Sequence, residues 1–308
     1  MNAVGRGVVN VGCFLQYNLQ TKLGFRTEQM INAEMAMKDL VAKGIKIPPQ
    51  PKVLLDLNRK LASESFDVHS LAQIVATDPG ITAMLFKAAR SPMFGCGKKF
   101  ETLDQVIMVI GVNQTFNLVQ AMALRSSVSD KSRKILDFFW TRSHEIAQMV
   151  ALIAKDRQAI CNVFPDQAYM AGIFHGCGVP LLLQRFPDYC KSFQLDKQLS
   201  WPNLAEEDAR FNVDHCSIGY IVARHWGLPD FVCAAIAYHD EMPSEEVGTV
   251  RTLVAILQLS IHFYYLISGV ETPGWDKIGK SVLDELGVGR DEEQDYFEEI
   301  SESFLAIR

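Results

Sequence analysis

The chain has 308 residues, 48% of them hydrophobic and 21% charged, enough apolar mass for one large domain or two modest lobes and no bias toward disorder. A net charge of -6 works against a protein that lives on phosphate backbones, and the one compact basic run, Lys131-Ser132-Arg133-Lys134, reads as a solvated helix start; no nucleic-acid partner is expected. Seven cysteines, an odd number without CxxC spacing, sit in apolar surroundings such as Phe231-Val232-Cys233-Ala234 and fit buried thiols rather than a disulfide framework. With no signal peptide and no apolar run of about 18 residues, the sequence predicts a cytoplasmic protein without a membrane partner.

Residues 1–26 are glycine-rich, with no helical period and one short β-branched stretch, and read either as a flexible leader or as a short strand. Met30, Ile31, Met35, Leu40 and Val41 then predict an amphipathic helix that stops at Gly44. Ile47-Pro48-Pro49-Gln50-Pro51 must be an extended connector, because its prolines cannot occupy a helix interior. Pro51 opens a helix carrying Val53, Leu54, Leu57 and Leu61, and Asp67 caps one carrying Leu71, Ile74 and Val75. Asp78-Pro79 is a stronger start, a capping carboxylate followed by proline at the first helical position, and that helix ends near Ser91-Pro92. Thr102 caps a helix through Ile110, Gly111 breaks it, and residues 113–127 continue in a new direction.

In the second half Ile135, Phe138, Phe139, Ile146, Val150 and Ile153 keep helical spacing, as do Tyr169, Ala171, Ile173 and Phe174, and then Ile218, Ile221 and Val222. Pro229 begins another helix, Val250–Leu266 is apolar nearly all round and reads as a buried central helix, and an acidic helix runs from about Asp291 to Ile307. Strand-like alternation is almost absent. The fold class is all-α, with an N-terminal helical lobe over 27–130, a second helical lobe over 131–270, a junction near 128–134 and an acidic helical tail over 271–308.

Histidine is the concentrated chemical signal. His144, His175, His215 and His239, the last followed by Asp240, each stand beside small or apolar helical residues in one half of the chain, as ligands do where helices converge on a metal. His225 is not expected among them, because ten residues after His215 is about 280° of net rotation. A mixed Cys/His zinc site built from Cys177, Cys216 or Cys233 is set aside, since His175/Cys177 and His215/Cys216 lack the spacings of structural zinc motifs.

The order Ile47–Pro51, Thr77-Asp78-Pro79-Gly80, Ala88-Ala89-Arg90-Ser91, Thr102–Val106 and Ile110-Gly111-Val112 resembles the N-terminal part of an HDOD domain. Trp140–His144, Ala171–His175, His215–Gly219 and Trp226–Pro229 resemble its HD-like part, and the likeness covers roughly residues 27–270. The resemblance implies a multi-helix relative of the HD and HD-GYP metal-dependent phosphohydrolases, used in bacteria as a signalling output. Catalytic members hold two metals with a His-Asp pair and a later aspartate on the central helix. Here His175 matches the histidine of the pair but Gly176 follows it, and Leu253–His262 carries no carboxylate.

The reading is therefore a non-catalytic regulatory module that binds other signalling proteins or a small-molecule ligand. No cofactor is required; one divalent metal in the histidine cavity is the most the donors would hold. The alternative is a divergent metal-dependent phosphohydrolase that recruits Asp240, Asp214 or Asp208. A ligand-sensing variant would use a cavity lined by Phe174, His175, His215 and Trp226.

Overall fold

Capping side chains place the helix starts where the sequence puts them. In a computed structural model describing residues 40–63, 67–90, 94, 99–127, 133–195, 197 and 201–307, the Asp67 carboxylate accepts from the Ser70 N–H at 2.8 Å. Asp78 accepts from the Ile81 N–H at 3.0 Å, and the Thr102 hydroxyl from the Gln105 N–H at 3.3 Å. These caps open α2 (Val68–Val75), α3 (Pro79–Arg90) and α4 (Leu103–Ile110), while Pro51 precedes α1 (Lys52–Leu61). At Gly111, with φ of 87°, the chain turns through 106° into α5 (Val112–Ser127). The leader, most of the helix expected to stop at Gly44, the Ser91-Pro92 helix end and the lobe junction at 128–132 lie outside the described residues. The stop at Gly44 is seen: φ is 74° and the Ile45 N–H returns to the Leu40 carbonyl at 2.9 Å.

The second lobe is built from α6 (Arg133–Asp156), α7 (Gln158–Cys161), α8 (Pro165–Phe174), α9 (Val179–Arg185), α10 (Tyr189–Phe193), α11 (Leu204–Phe211), α12 (His215–His225), α13 (Asp230–Tyr238) and α14 (Thr249–Ile267). Helices α15 (Trp275–Leu286) and α16 (Glu293–Ile307) complete it, and no strand occurs among the described residues. The fold is all-α, as the sequence implies. Helix α14 corrects the statement that no apolar run reaches the length of a membrane span: it has 19 residues and a mean hydropathy of 1.5. It also carries Arg251, Gln258, Ser260 and His262, and 72% of its apolar window is buried against other helices, as in the core helix of a helical bundle.

Two boundaries differ from the sequence reading. The residues just before α1 pack on the second lobe: Lys43 Nζ donates to the Asn212 carbonyl at 2.7 Å, Arg185 Nε to the Lys43 carbonyl at 2.6 Å, and the Trp226 indole N–H to the Pro48 carbonyl at 2.9 Å. A proline-rich connector has carbonyls to spare because it forms no helix, and here they are used as anchors. Residues 271–308, expected as a tail, instead finish the core. His262 on α14 stacks on Trp275 with ring centroids 3.8 Å apart, and the Trp275 indole N–H donates to Glu293 Oε1 at 3.0 Å. Phe263 meets Phe297 at 5.3 Å, and Phe304 is fully buried.

Truncating Phe304 to alanine should cost about 3–5 kcal/mol in denaturant unfolding, the usual range for a buried phenylalanine. A loss under about 1 kcal/mol would show that α16 is an appendage rather than part of the core.

Candidate functional site

The chemistry of the second lobe gathers where α8, α12 and α13 end or begin. His175 follows the last residue of α8, His239 follows the last of α13, and His215 is the first residue of α12. All three side chains are buried, with exposures of 1%, 1% and 0%. The rings of His175 and His239 lie 5.2 Å apart and those of His215 and His239 lie 5.1 Å apart. Gly178 makes this convergence feasible: a Cβ there would stand 2.1 Å from the His215 carbonyl oxygen, so only glycine lets the turn after α8 press against the start of α12.

Each ring is oriented by a bond on its Nδ1 side. His175 Nδ1 donates to the Gly172 carbonyl at 2.6 Å, and His239 Nδ1 to the Ile236 carbonyl at 2.7 Å. His215 Nδ1 donates to Glu207 Oε2 at 2.6 Å, and the His215 backbone N–H reaches the same oxygen at 3.2 Å. Glu207 Oε1 accepts from the buried Tyr189 hydroxyl. With Nδ1 committed, each Nε2 is turned inward, the arrangement by which outer-shell bonds fix imidazole ligands. The Nε2 atoms of His215 and His239 are 3.3 Å apart, and His175 Nε2 is buried without a hydrogen-bond partner.

Charge is divided unevenly among the three rings. Burial alone would lower the His215 pKa, but the Glu207 carboxylate overrides it and holds the imidazolium up to about 9. Burial pushes His175 well below the ordinary histidine value, reinforced by His239 and by the Arg142 guanidinium. Burial also lowers His239, against the opposing pull of Asp240. Without a metal, His215 is therefore a cation that donates from Nε2 to neutral His239.

A second type of donor lies beside them. Cys216 Sγ lies 3.4 Å from His239 Nδ1, 3.8 Å from His215 Nε2 and 3.9 Å from His239 Nε2, and His215, Cys216 and His239 present ligand atoms all within 4.8 Å of one another. The sequence argument set Cys216 aside on spacing alone. Adjacent residues of one helix share this site because the third donor arrives from a different helix.

The other predicted residues distribute as follows. His144 does not join the group: it lies on α6 two residues from Arg142, about 200° around the helix from it, and half-buried in a cleft of 480 Å³ with Lys87, Arg90, Arg125 and Trp140. There the fully buried Tyr169 hydroxyl donates to His144 Nδ1 at 2.9 Å. Asp240 Oδ1 stands 3.6 Å from His239 Nε2 and is the carboxylate at the rim of the group. Asp214 caps α12, accepting from the Ser217 N–H at 2.8 Å and the Ser217 hydroxyl at 2.7 Å. Asp208 is exposed. Phe174 is fully buried, and Trp226 is committed to the Pro48 carbonyl; it seats the connector rather than lining a ligand cavity with the histidines. His225 is exposed, away from His215 as the helical rotation requires.

Three participants were not read from the sequence: Glu207, Trp201 and Arg142. Trp201 lies over the group, its ring 5.5 Å from His175, 5.7 Å from His215 and stacked on Phe139 at 5.9 Å. The Arg142 guanidinium, itself buried, covers the Trp201 ring at 4.1 Å. Gly176 packs under this indole: a Cβ at Gly176 would meet Trp201 Cη2 at 2.5 Å.

Comparison with known proteins places this arrangement. The HDOD domain family model matches residues 47–242. A protein of Treponema pallidum (strain Nichols) is 23% identical over 245 residues, covering 77% of this chain; the chain spans only 45% of that relative's length. An HDOD domain protein with unknown function from Geobacter sulfurreducens has a TM-score of 0.64 at 19% identity, with 91% of this chain and 96% of that one covered. A candidate signal transduction protein from Marinobacter aquaeolei VT8 has a TM-score of 0.68 at 20% identity, covering 94% of this chain and 66% of that one. A candidate phosphohydrolase from Shewanella amazonensis SB2B has a TM-score of 0.66 at 18% identity, covering 90% and 98%. At these identities the structures share the fold.

Replacing Glu207 with alanine strands a buried imidazolium and a buried phenol, and should cost about 3–5 kcal/mol of unfolding free energy. Its exposed neighbour Glu206 faces Arg210 at 3.6 Å across the surface, and the same truncation there should cost less than about 1 kcal/mol. Equal effects at the two positions would contradict the assignment.

Proposed function

The chain belongs to the HDOD family, and on that premise we propose that it is a non-catalytic regulatory module of bacterial signalling. It acts by binding partner proteins or a small ligand rather than by turning over a phosphoester. The observation that carries this reading is at Gly176, where the resemblance to catalytic relatives calls for the aspartate of the His-Asp pair. The side chain is missing, and the space beside it is filled by an indole held between Phe139, His175 and Arg142.

Metal-assisted phosphoester hydrolysis needs two cations about 4 Å apart, an anionic bridge between them and an open position where water becomes hydroxide. The carboxylates around the histidines do not supply the bridge. Glu207 faces the outer edge of His215, Asp214 is spent on its cap, and Asp240 lies at the rim. On α14 the residue that reaches His239 is Gln258, whose amide donates to the His239 carbonyl at 3.1 Å. A neutral amide cannot neutralise a second cation. The buried Arg142 guanidinium places a fixed positive charge beside His175, which further disfavours a dication there.

The donors that remain fit one divalent ion. Inward Nε2 atoms on rings oriented by backbone carbonyls and a carboxylate are what a mononuclear site requires, and such an ion would tie α12 to α13. The competing reading, a divergent phosphohydrolase, is favoured by the nearness of Asp240 to His239.

Purified protein supplied with manganese, magnesium, nickel or zinc should hydrolyse neither nucleotides nor cyclic dinucleotides above the metal-only background. Turnover that disappears in both His175→Ala and Asp240→Asn would establish the phosphohydrolase instead.

A further inference from the structure

We propose that the cleft bordered by α3, α5 and α6 binds an amphipathic organic anion, with a hydrocarbon body and one anionic head. This goes beyond the regulatory reading, which gives its ligand neither a place nor a chemistry, and it does not involve the histidine group. The cleft has a volume of 480 Å³, inside the range of about 300–1,000 Å³ usual for small-molecule sites. Its apolar lining comes from Met84 on α3, Leu118 and Met122 on α5, and Ile173 on α8. Two of these are methionines, whose unbranched side chains adapt to a hydrocarbon of variable shape.

Positive charge and unspent donors meet at the same place. Among the described residues that line the cleft, Lys87, Arg90 and Arg125 face one carboxylate, Glu145, in a chain whose net charge is -6. Glu145 accepts from the Tyr264 hydroxyl at 2.9 Å. Arg125 meets Asp137 at 2.8 Å, but both side chains are exposed, and such a pair is weak enough for a ligand's anion to share the guanidinium. The three cations occupy the last turns of α3 and α5, where they also complement the helix dipoles. The dipoles do not account for Trp140. Its side chain is only 5% exposed and lines the cleft, yet its buried indole N–H meets no acceptor among the described residues. A buried donor left unbonded costs free energy that a ligand acceptor recovers. His144 adds a second donor. The Tyr169 hydroxyl bonds its Nδ1, and burial together with the Lys87 ammonium lowers the ring's pKa, so the neutral ring carries its proton on Nε2. Cations and N–H donors select an anion here, and the methionine-rich lining selects one with a hydrocarbon attached.

The test uses the full-length chain with anilinonaphthalene sulfonate as fluorescent reporter, displaced by decanoate, by uncharged decanol or by inorganic phosphate. The reporter should bind saturably at one site per chain. Decanoate should displace it, decanol at least about tenfold more weakly, the loss expected for a missing charge-assisted hydrogen bond, and phosphate not at all. In the double variant Lys87→Gln, Arg90→Gln, which alters two exposed side chains, decanoate should fall to the level of decanol. Met122→Trp should fill the cleft and weaken both competitors alike. Far-ultraviolet circular dichroism verifies that each variant is folded. Equal displacement by decanol and decanoate in the unmodified protein would overturn the role of the cations, and displacement by phosphate as strong as by decanoate would overturn the role of the apolar lining. Absence of saturable reporter binding to the folded protein would overturn the site itself while leaving the regulatory reading standing.

Discussion

A buried carboxylate at Glu207 organises the site. Its two oxygens accept three hydrogen bonds, from the Tyr189 hydroxyl, the His215 amide and His215 Nδ1. Both members of the Glu207–His215 pair are shielded completely from water. An ion pair in such surroundings is retained only if nearly every lone pair is satisfied, because desolvating the two charges costs several kcal/mol each. Satisfying them fixes three things together. Helix α11 is fastened to the start of α12, Tyr189 is drawn in from α10, and His215 is held with Nε2 directed at His239. The distance of 3.3 Å between the inward nitrogens therefore follows from a bond made on the opposite side of the ring.

The other side of the histidine group carries the features on which the proposed loss of catalysis rests. At Gly176 the side-chain space belongs to Trp201, and Arg142 lies over that indole at 4.1 Å. A neutral aromatic face and a fixed cation stand where a bridging anion and a second metal would be needed. Introducing aspartate at Gly176 alone would leave the carboxylate against the indole, so the loss is embedded in the packing rather than confined to one residue. The inward nitrogens lie beside it, so the proposed absence of hydrolysis does not exclude the binding of one ion. The helical ends that carry the donors make such an ion a mechanical tie between α12 and α13.

Much of the fold was legible because its signals are local. Asp67, Asp78 and Thr102 cap helices through bonds to residues three positions on, and Gly44 and Gly111 stop or turn helices through their own backbone angles. Helix α15 falls in the segment read as a helical tail, and its packing into the core is signalled by Ile278, Val282 and Leu286 at four-residue intervals. The site was less legible. The sequence singles out His175, His215 and His239, whose rings the structure brings together, but whether His144 joins them depends on which face of α6 turns inward. Arg142 and His144 differ by two residues and face opposite surroundings, one Trp201 and the other the Lys87–Arg125 cleft. Glu207 resembled a first-turn helix charge beside Glu206, although Leu204, Glu207 and Phe211 fall on one stripe and place a carboxylate among apolar neighbours. Trp201 stands in a loop with no period to reveal it. Cys216 is set aside on spacing, and spacing is silent about its neighbour His239, which lies 23 residues away on another helix.

The proposed non-catalytic module differs from a two-metal phosphohydrolase in holding at most one divalent ion. Metal stoichiometry of the native protein, purified without a histidine tag or chelator and measured by plasma mass spectrometry against quantified protein, addresses it directly. The expected result is no more than one divalent ion per chain. Two tightly held ions per chain would contradict it, because a paired centre would then exist despite Gly176 and Trp201.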